Sequence, residues 1–275
     1  MVKIVTTSIN KPPKICIFGS PGAGKSRFAA SFPSPFFIRT EDRHDHLSVQ
    51  THENVIATYA ELIEVLDFIL KEKHGFKTVV LDTADSAEKI VHQEVCKNAG
   101  TNNILDPRVF PFYSGFLRAS QIWESEILGR LKAINEERKI LPIIISHIET
   151  KQMEHPQYGH YPKFVLGVDK RVAAKIYKFC DIVGFLDWRT SAIGEGDKTR
   201  LSSTNQRILR LKPRAYWETK ESYNLPESID IPEDAPGELG GYRVLQDAIK
   251  KGLSFKTAGN LADVKVDREL KKLTE

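Results

Sequence analysis

An α/β fold, with a mostly parallel sheet flanked by helices, a C-terminal β-hairpin region and a helical tail, is predicted by three features of this 275-residue chain. A glycine-rich loop, Gly19-Ser20-Pro21-Gly22-Ala23-Gly24-Lys25-Ser26, directly follows the short run Ile15-Cys16-Ile17-Phe18. That run and the later runs 77–82 and 141–147 are apolar without alternation, the pattern of strands covered on both faces. Between these runs lie stretches with apolar residues at helical spacing, so strands and helices alternate along the chain.

Residues 1–13 precede the core and end in the rigid extended connector Lys11-Pro12-Pro13, with 3–7 suited to an edge strand. After the strand at 15–18 comes the loop, which matches G-x-x-x-x-G-K-[ST] without substitution and is a P-loop. Its glycines permit the close approach and unusual φ values by which successive backbone N–H groups curl around a phosphate. Gly19, Ser20, Pro21, Gly22, Ala23, Gly24, Lys25, Ser26 and the following Arg27 form the expected ATP-binding segment. Lys25 is expected to reach the β and γ phosphates and Ser26 to offer its hydroxyl to Mg²⁺, while the helix dipole behind them favours the anion. That helix reads as 27–32, closed by Pro33.

A second strand spans 35–40 and leads into Glu41-Asp42-Arg43-His44-Asp45-His46. Carboxyl ends of strands in open parallel sheets line the ligand crevice, so these charges are expected to face the nucleotide. As a metal site the Asp42, His44, Asp45, His46 cluster is disfavoured, because adjacent ligands in a loop lack fixed geometry. An amphipathic helix follows over 59–73, with Leu62, Leu66 and Ile69 on one face. The strand 77–82 ends in Asp82, a carboxylate placed where Mg²⁺ and its waters need one.

Residues 86–98 read as helix, 100–111 as loop, and 113–139 as a long helix whose Phe116, Trp123, Ile127, Leu131 and Ile134 belong to the core. The strand 141–147 ends in Ser146 and His147, and His147 is a second candidate at the γ-phosphate. The segment 151–168 reads as a long loop or irregular hairpin bearing Lys151, Tyr158, Tyr161 and Lys163. Cations interleaved with aromatic platforms suit single-stranded DNA. A helix over 169–179 follows, then strands at 183–190 and 207–211 about the turn Gly194-Glu195-Gly196-Asp197. The expected core is 1–226; residues 227–275 form an acidic, Pro- and Gly-rich linker with helices near 242–251 and 264–275.

The net charge is only +4, yet residues 151–220 hold fourteen Lys and Arg against seven Asp and Glu. Such an excess favours a phosphate-backbone partner for this third of the chain. No run approaches the roughly 18 apolar residues of a membrane span, and the first residues lack a secretion signal, so a cytoplasmic protein is expected. Cys16, Cys96 and Cys180 are odd in number and far apart, which indicates neither a disulfide framework nor a zinc site.

The chain resembles the RecA-like branch of P-loop ATPases, and within it the small phage-encoded ATPases related to recombinases and single-strand annealing proteins. The resemblance rests on the P-loop, on Ile38-Arg39-Thr40-Glu41, on Asp82-Thr83 and on the basic strand Arg207-Ile208-Leu209-Arg210-Leu211-Lys212-Pro213-Arg214. It implies a RecA-like P-loop NTPase core that hydrolyses ATP with Mg²⁺, Glu41 as the catalytic glutamate and Asp82 beside the metal. It also implies action on single-stranded DNA and a homo-oligomer, ring or filament, in which Lys212 and Arg214 reach the nucleotide of a neighbouring subunit. A phage-encoded protein would work in the cytoplasm of its bacterial host. Asp42 is the alternative base, and a packaging or signalling ATPase that does not touch DNA is the alternative function.

Overall fold

The computed structural model describes residues 11–42, 47–155, 157, 159–193, 200–233 and 238–254. The sequence readings placed on 3–7, on Arg43, His44, Asp45 and His46, on Tyr158, on the turn 194–197 and on 264–275 lie outside the described residues.

The first strand, β1 (Ile15–Gly19), is buried throughout and delivers the chain into the P-loop, after which α1 (Lys25–Ala30) begins two residues earlier than the sequence pattern predicts. The apolar pattern starts at Phe28, whereas the helix is set by the loop geometry at Gly24, its N-terminal flanking residue, at φ 88°. Next come β2 (Pro35–Arg39), the two-residue β3 (Gln50–Thr51) and α2 (Tyr59–Lys71). Thr58 and Glu61 form a capping box at the start of α2, satisfying backbone donors that helix ends leave free.

The strand β4 (Thr78–Asp82) leads through Thr83, which caps α3 (Ala84–Asn98). The predicted long helix is present as α4 (Ser114–Ile122) and α5 (Gly129–Glu137), joined by a π-helical stretch, Trp123–Leu128. Trp123 and Ile127 in that stretch are wholly buried. The remaining elements are β5 (Leu141–His155), β6 (Gly159–Leu166), α6 (Lys170–Phe179), β7 (Ile182–Ile193), β8 (Arg200–Arg210) and β9 (Ser228–Ile231). Residues 240–254 form a further helix, α7.

The main path through the sheet runs β3-β2-β4-β5-β1-β7-β8-β9, with β6 paired to β5 off that path. From β3 to β7 neighbouring strands are parallel, and β8 and β9 are antiparallel additions. Alternate residues of each buried strand face opposite sides, as the pleat requires. Cys16, Phe18, Val79, Leu81 and Ile144 pack with α2 to α6, whereas Ile15, Ile17, Val80, Ile143 and Ile145 pack with α1 and α7. This two-sided covering explains the unbroken apolar runs in the sequence.

Two expectations change. The segment 151–168, read as a long loop or irregular hairpin, is a hairpin of regular antiparallel register among its described residues. The strand β5 continues eight residues past His147 and pairs with β6 from Ile148↔Leu166 to His155↔Gly159. Beyond residue 226, β9 pairs with β8 and Leu245 of α7 is buried in the core, so the packed unit continues past that point. Among the described residues no helix is long and apolar enough to cross a membrane.

Candidate functional site

The carboxyl edge of the parallel strands carries a cleft of about 330 Å³ lined by Pro21, Gly22, Gly24, Lys25, Ser26 and Arg27 of the P-loop segment. Glu41, Asp82, Thr83, His147 and Arg207 complete the wall. The loop's shape follows from its sequence: Gly22 and Gly24 have φ of 79° and 88°, conformations costly for any residue with a Cβ. Gly19 is needed for closeness instead, since a Cβ there would stand 2.2 Å from the carbonyl oxygen of Leu186 on β7.

Lys25 is buried and its ammonium donates to the carbonyl oxygens of Gly19 (2.9 Å) and Ser20 (3.0 Å). Burial lowers its pKa from the ordinary lysine value, and Asp82, Asp85 and Glu41 oppose that shift. Ser26 Oγ donates to Asp82 Oδ2 at 2.6 Å, which places the two residues expected at Mg²⁺ side by side, although 56 positions separate them in sequence. A hydroxyl and a carboxylate are hard oxygen donors of the kind Mg²⁺ selects, so the residues present fit that ion.

Glu41 stands opposite, its Oε1 accepting hydrogen bonds from Thr83 Oγ1 (2.9 Å) and Ser86 Oγ (2.7 Å). Thr40 fixes the approach of this segment: its hydroxyl donates to the carbonyl of Thr83 and accepts from the Thr83 N–H. Arg39, just before, is turned away and donates to Thr51 Oγ1 on β3 (2.9 Å).

Sequence reasoning missed Asp85. It lies in the first turn of α3, and its carboxylate accepts from both the backbone N–H of His147 (3.0 Å) and the imidazole Nδ1 (2.9 Å). Burial would raise its pKa, but the hydrogen bonds and charge of His147 outweigh burial and hold the carboxyl below its ordinary value. Glu41, Asp85 and His147 have potential ligand atoms within 4.8 Å of one another, the composition of a small metal site. The hydrogen bonds favour a different use: Asp85 takes Nδ1–H and so fixes the orientation of the ring, with Nε2 on the opposite side. The signal available in the sequence was an acid three residues after Asp82 on the same edge.

Lys212 and Arg214 are not brought to this cleft within the subunit. Because β8 runs antiparallel to β7, Arg207 pairs with Trp188 at the cleft edge, and Arg210 lies back at the level of Phe185. Lys212 and Arg214 follow the end of β8 at Arg210, beyond the level of Phe185 and on the side away from the P-loop. Arg214 forms a two-pronged pair with Glu227, 2.9 and 2.6 Å. β8 is itself covered, since β9 pairs along it from Arg207↔Ile231 to Arg210↔Ser228. Arg207, not Lys212 or Arg214, is the cation this strand places against the subunit's own P-loop.

Of the residues expected to meet DNA, Lys151 and Lys163 are directly opposite each other on the β5–β6 hairpin and Tyr161 is opposite Met153. Lys151 pairs with Glu149 (3.3 Å) and Lys163 with Glu218 (3.1 Å). Cys16, Cys96 and Cys180 are buried with free thiols.

In this sheet the P-loop strand β1 and the carboxylate strand β4 flank β5, and the P-loop, Ser26 and Asp82 converge at its carboxyl edge. Fold and site together define a P-loop NTPase. The AAA domain family matches residues 11–223, and the chain belongs to that family. Among solved structures it is similar to the RadB recombinase, with 14% identity and a TM-score of 0.44 over 84% of this chain and 90% of that one. It is also similar to the flagellar accessory protein FlaH from Methanocaldococcus jannaschii, with 10% identity and a TM-score of 0.38 over 83% and 87%. A search of the curated proteins finds no match.

Proposed function

We propose that this protein binds ATP in the P-loop cleft and hydrolyses it with Mg²⁺, coupling turnover to single-stranded DNA in phage recombination or annealing. The observation that carries the ATPase reading is the 2.6 Å contact of Ser26 with Asp82 in a cleft also lined by Lys25 and Glu41. The metal supplies charge neutralisation at the phosphate oxygens when bound, and Ser26 and Asp82 are the residues that would hold it.

The chain's own groups divide the remaining work. Loop N–H groups and Lys25 hold the phosphates, a positioning and electrostatic role that accounts for most catalysis of phosphoryl transfer. Glu41, fixed by Thr83 and Ser86, orients the attacking water and accepts its proton at a carboxylate oxygen. His147, oriented by Asp85, would donate Nε2–H to the nucleotide's terminal phosphate with the ring protonated at both nitrogens. The test is phosphate release from ATP with and without Mg²⁺: turnover should require the ion and be lost in Lys25→Ala.

The DNA role rests on Lys151, Lys163 and Tyr161 of the β5–β6 hairpin, on the excess of Lys and Arg over residues 151–220, and on the family resemblance of the P-loop, Glu41, Asp82 and late strand. Pairing of Lys151 with Glu149 and of Lys163 with Glu218 favours the second reading, an ATPase of packaging or signalling type that does not touch DNA directly. Single-stranded DNA should stimulate ATP hydrolysis under the first reading and leave it unchanged under the second. Replacing Tyr158 and Tyr161 by alanine should weaken DNA binding by about 1–3 kcal/mol per lost stack. A shared site in an oligomer, with Lys212 and Arg214 acting on a neighbour's nucleotide, requires the Arg214–Glu227 pair to open. Activity per chain that rises with protein concentration supports it; strict linearity opposes it.

A further inference from the structure

We propose that Arg207 binds the nucleotide's phosphate chain within its own subunit, and that its stacking on Trp188 reports occupancy of the P-loop to the β7–β8 hairpin. The inference rests on the nucleotide-binding reading of the P-loop and adds to it a residue on the opposite wall.

Three observations converge on Arg207. It lines the same cleft as Lys25 and Ser26. A Cβ placed on Gly24 would stand 2.8 Å from its Nε and 2.9 Å from its Cζ, so the guanidinium lies against the last glycine before Lys25. Only 8% of the residue is exposed, so this cation lies within the cleft wall and not out in solvent. A planar guanidinium suits phosphate oxygens because its N–H groups can meet two of them at once. Nucleoside di- and triphosphates carry several negative charges, and Arg207 adds a buried cation to Lys25 and Arg27 in the cleft wall. Bare glycine at position 24 has a second reason here: any side chain would displace the arginine as well as strain a φ of 88°.

The link outward is Trp188. It is the direct cross-strand partner of Arg207, and the guanidinium carbon lies 5.2 Å from the indole centroid. Beyond this pair the register of β7 and β8 shifts between Trp188 and Thr190, and the two strands continue as a hairpin to Ile193 and Arg200. A cation drawn from the indole face towards an arriving polyphosphate changes the packing at the root of that hairpin, since cation–π attraction depends on the ion's place over the ring. The class of ligand is therefore an inorganic or nucleoside polyphosphate, and the element that responds is the hairpin.

The experiment measures tryptophan emission and nucleotide affinity together. Pyrophosphate, ADP and ATP, each with Mg²⁺, should change the emission of the full-length protein, and the change should vanish in Trp188→Phe while Trp123 and Trp217 remain. Arg207→Ala should weaken ADP and ATP binding at least tenfold at an unchanged circular-dichroism spectrum, and Arg207→Lys should recover only part of the loss. If Arg207→Ala fails to fold, the emission response of the wild-type chain to pyrophosphate decides alone. Affinities within twofold of wild type, or an emission change that persists in Trp188→Phe, overturn the proposal. Lys25→Ala separates the two readings: if wild-type ATP binding does not depend on Lys25, the P-loop reading itself fails. If binding depends on Lys25 but not on Arg207, only this inference fails.

Discussion

Ser26 Oγ donates a 2.6 Å hydrogen bond to Asp82 Oδ2, tying the first turn of α1, which follows β1, to the end of β4 across the intervening strand β5. Asp82 is only 2% exposed, so its carboxylate is committed to this edge of the sheet. Asp82→Ala should spare much of the ATP binding while removing Mg²⁺-dependent hydrolysis, because the loop N–H groups and Lys25 remain. Nucleotide titration beside a phosphate-release assay checks this; retained Mg²⁺-dependent turnover counts against the role.

Glu41 is fixed by Thr83 and Ser86, so its amide counterpart can occupy the same place without acting as a base. Glu41→Gln should bind ATP normally and hydrolyse it about a hundredfold more slowly, the usual scale for a general base. A fall of less than about threefold in single-turnover rate moves the role to Asp42 or elsewhere.

Gly19→Ala should destabilise the fold by about 1–3 kcal/mol, the range for overpacking, because its Cβ would meet the Leu186 carbonyl at 2.2 Å. Denaturant unfolding of the variant measures the cost. An unchanged midpoint contradicts the close packing of β1 on β7.

Glu88 predicts a pH dependence away from the cleft. It is buried on α3 and accepts the Asp169 backbone N–H with both oxygens. Burial first, with Asp169, Asp85 and Glu149 adding charge repulsion, pushes its pKa from 4.5 up to about 7. The folded state therefore holds this proton more tightly than the unfolded chain. The contribution is full below about pH 4.5 and is lost as pH rises through about 7, a change of roughly 3 kcal/mol. Glu88→Gln cannot ionise and should flatten the stability curve between about pH 5 and pH 8 in chemical denaturation. A wild-type curve that rises with pH in this window and keeps its slope in the variant contradicts the assignment.

The sequence made the central sheet readable because β1, β4 and the first half of β5 are covered on both faces, which demands unbroken apolar runs. The second half of β5 was hidden for the opposite reason. Past His147 it leaves the parallel sheet and pairs only with β6, so Lys151, Met153 and Tyr161 follow no buried pattern. The P-loop announced itself because few residues can satisfy its backbone. Asp85 and Arg207 did not, since their positions depend on how separate elements meet. The basic strand was visible from Arg207 to Leu211, yet nothing local says that it runs antiparallel, and that direction decides which of its cations reaches the P-loop. β9, four residues long, offers too short an alternation to separate it from the Pro- and Gly-rich stretch around it.

Equilibrium binding of ATP with Mg²⁺ to the wild-type chain and to Lys25→Ala tests the central claim most directly. Lys25 is the buried cation whose ammonium lies over the Gly19 and Ser20 carbonyls in the P-loop cleft. The account predicts saturable binding of one ATP per chain by the wild type and a sharp loss of affinity in the variant, with the fold intact by circular dichroism. Equal affinity in the two proteins, or no saturable binding by the wild type, contradicts it.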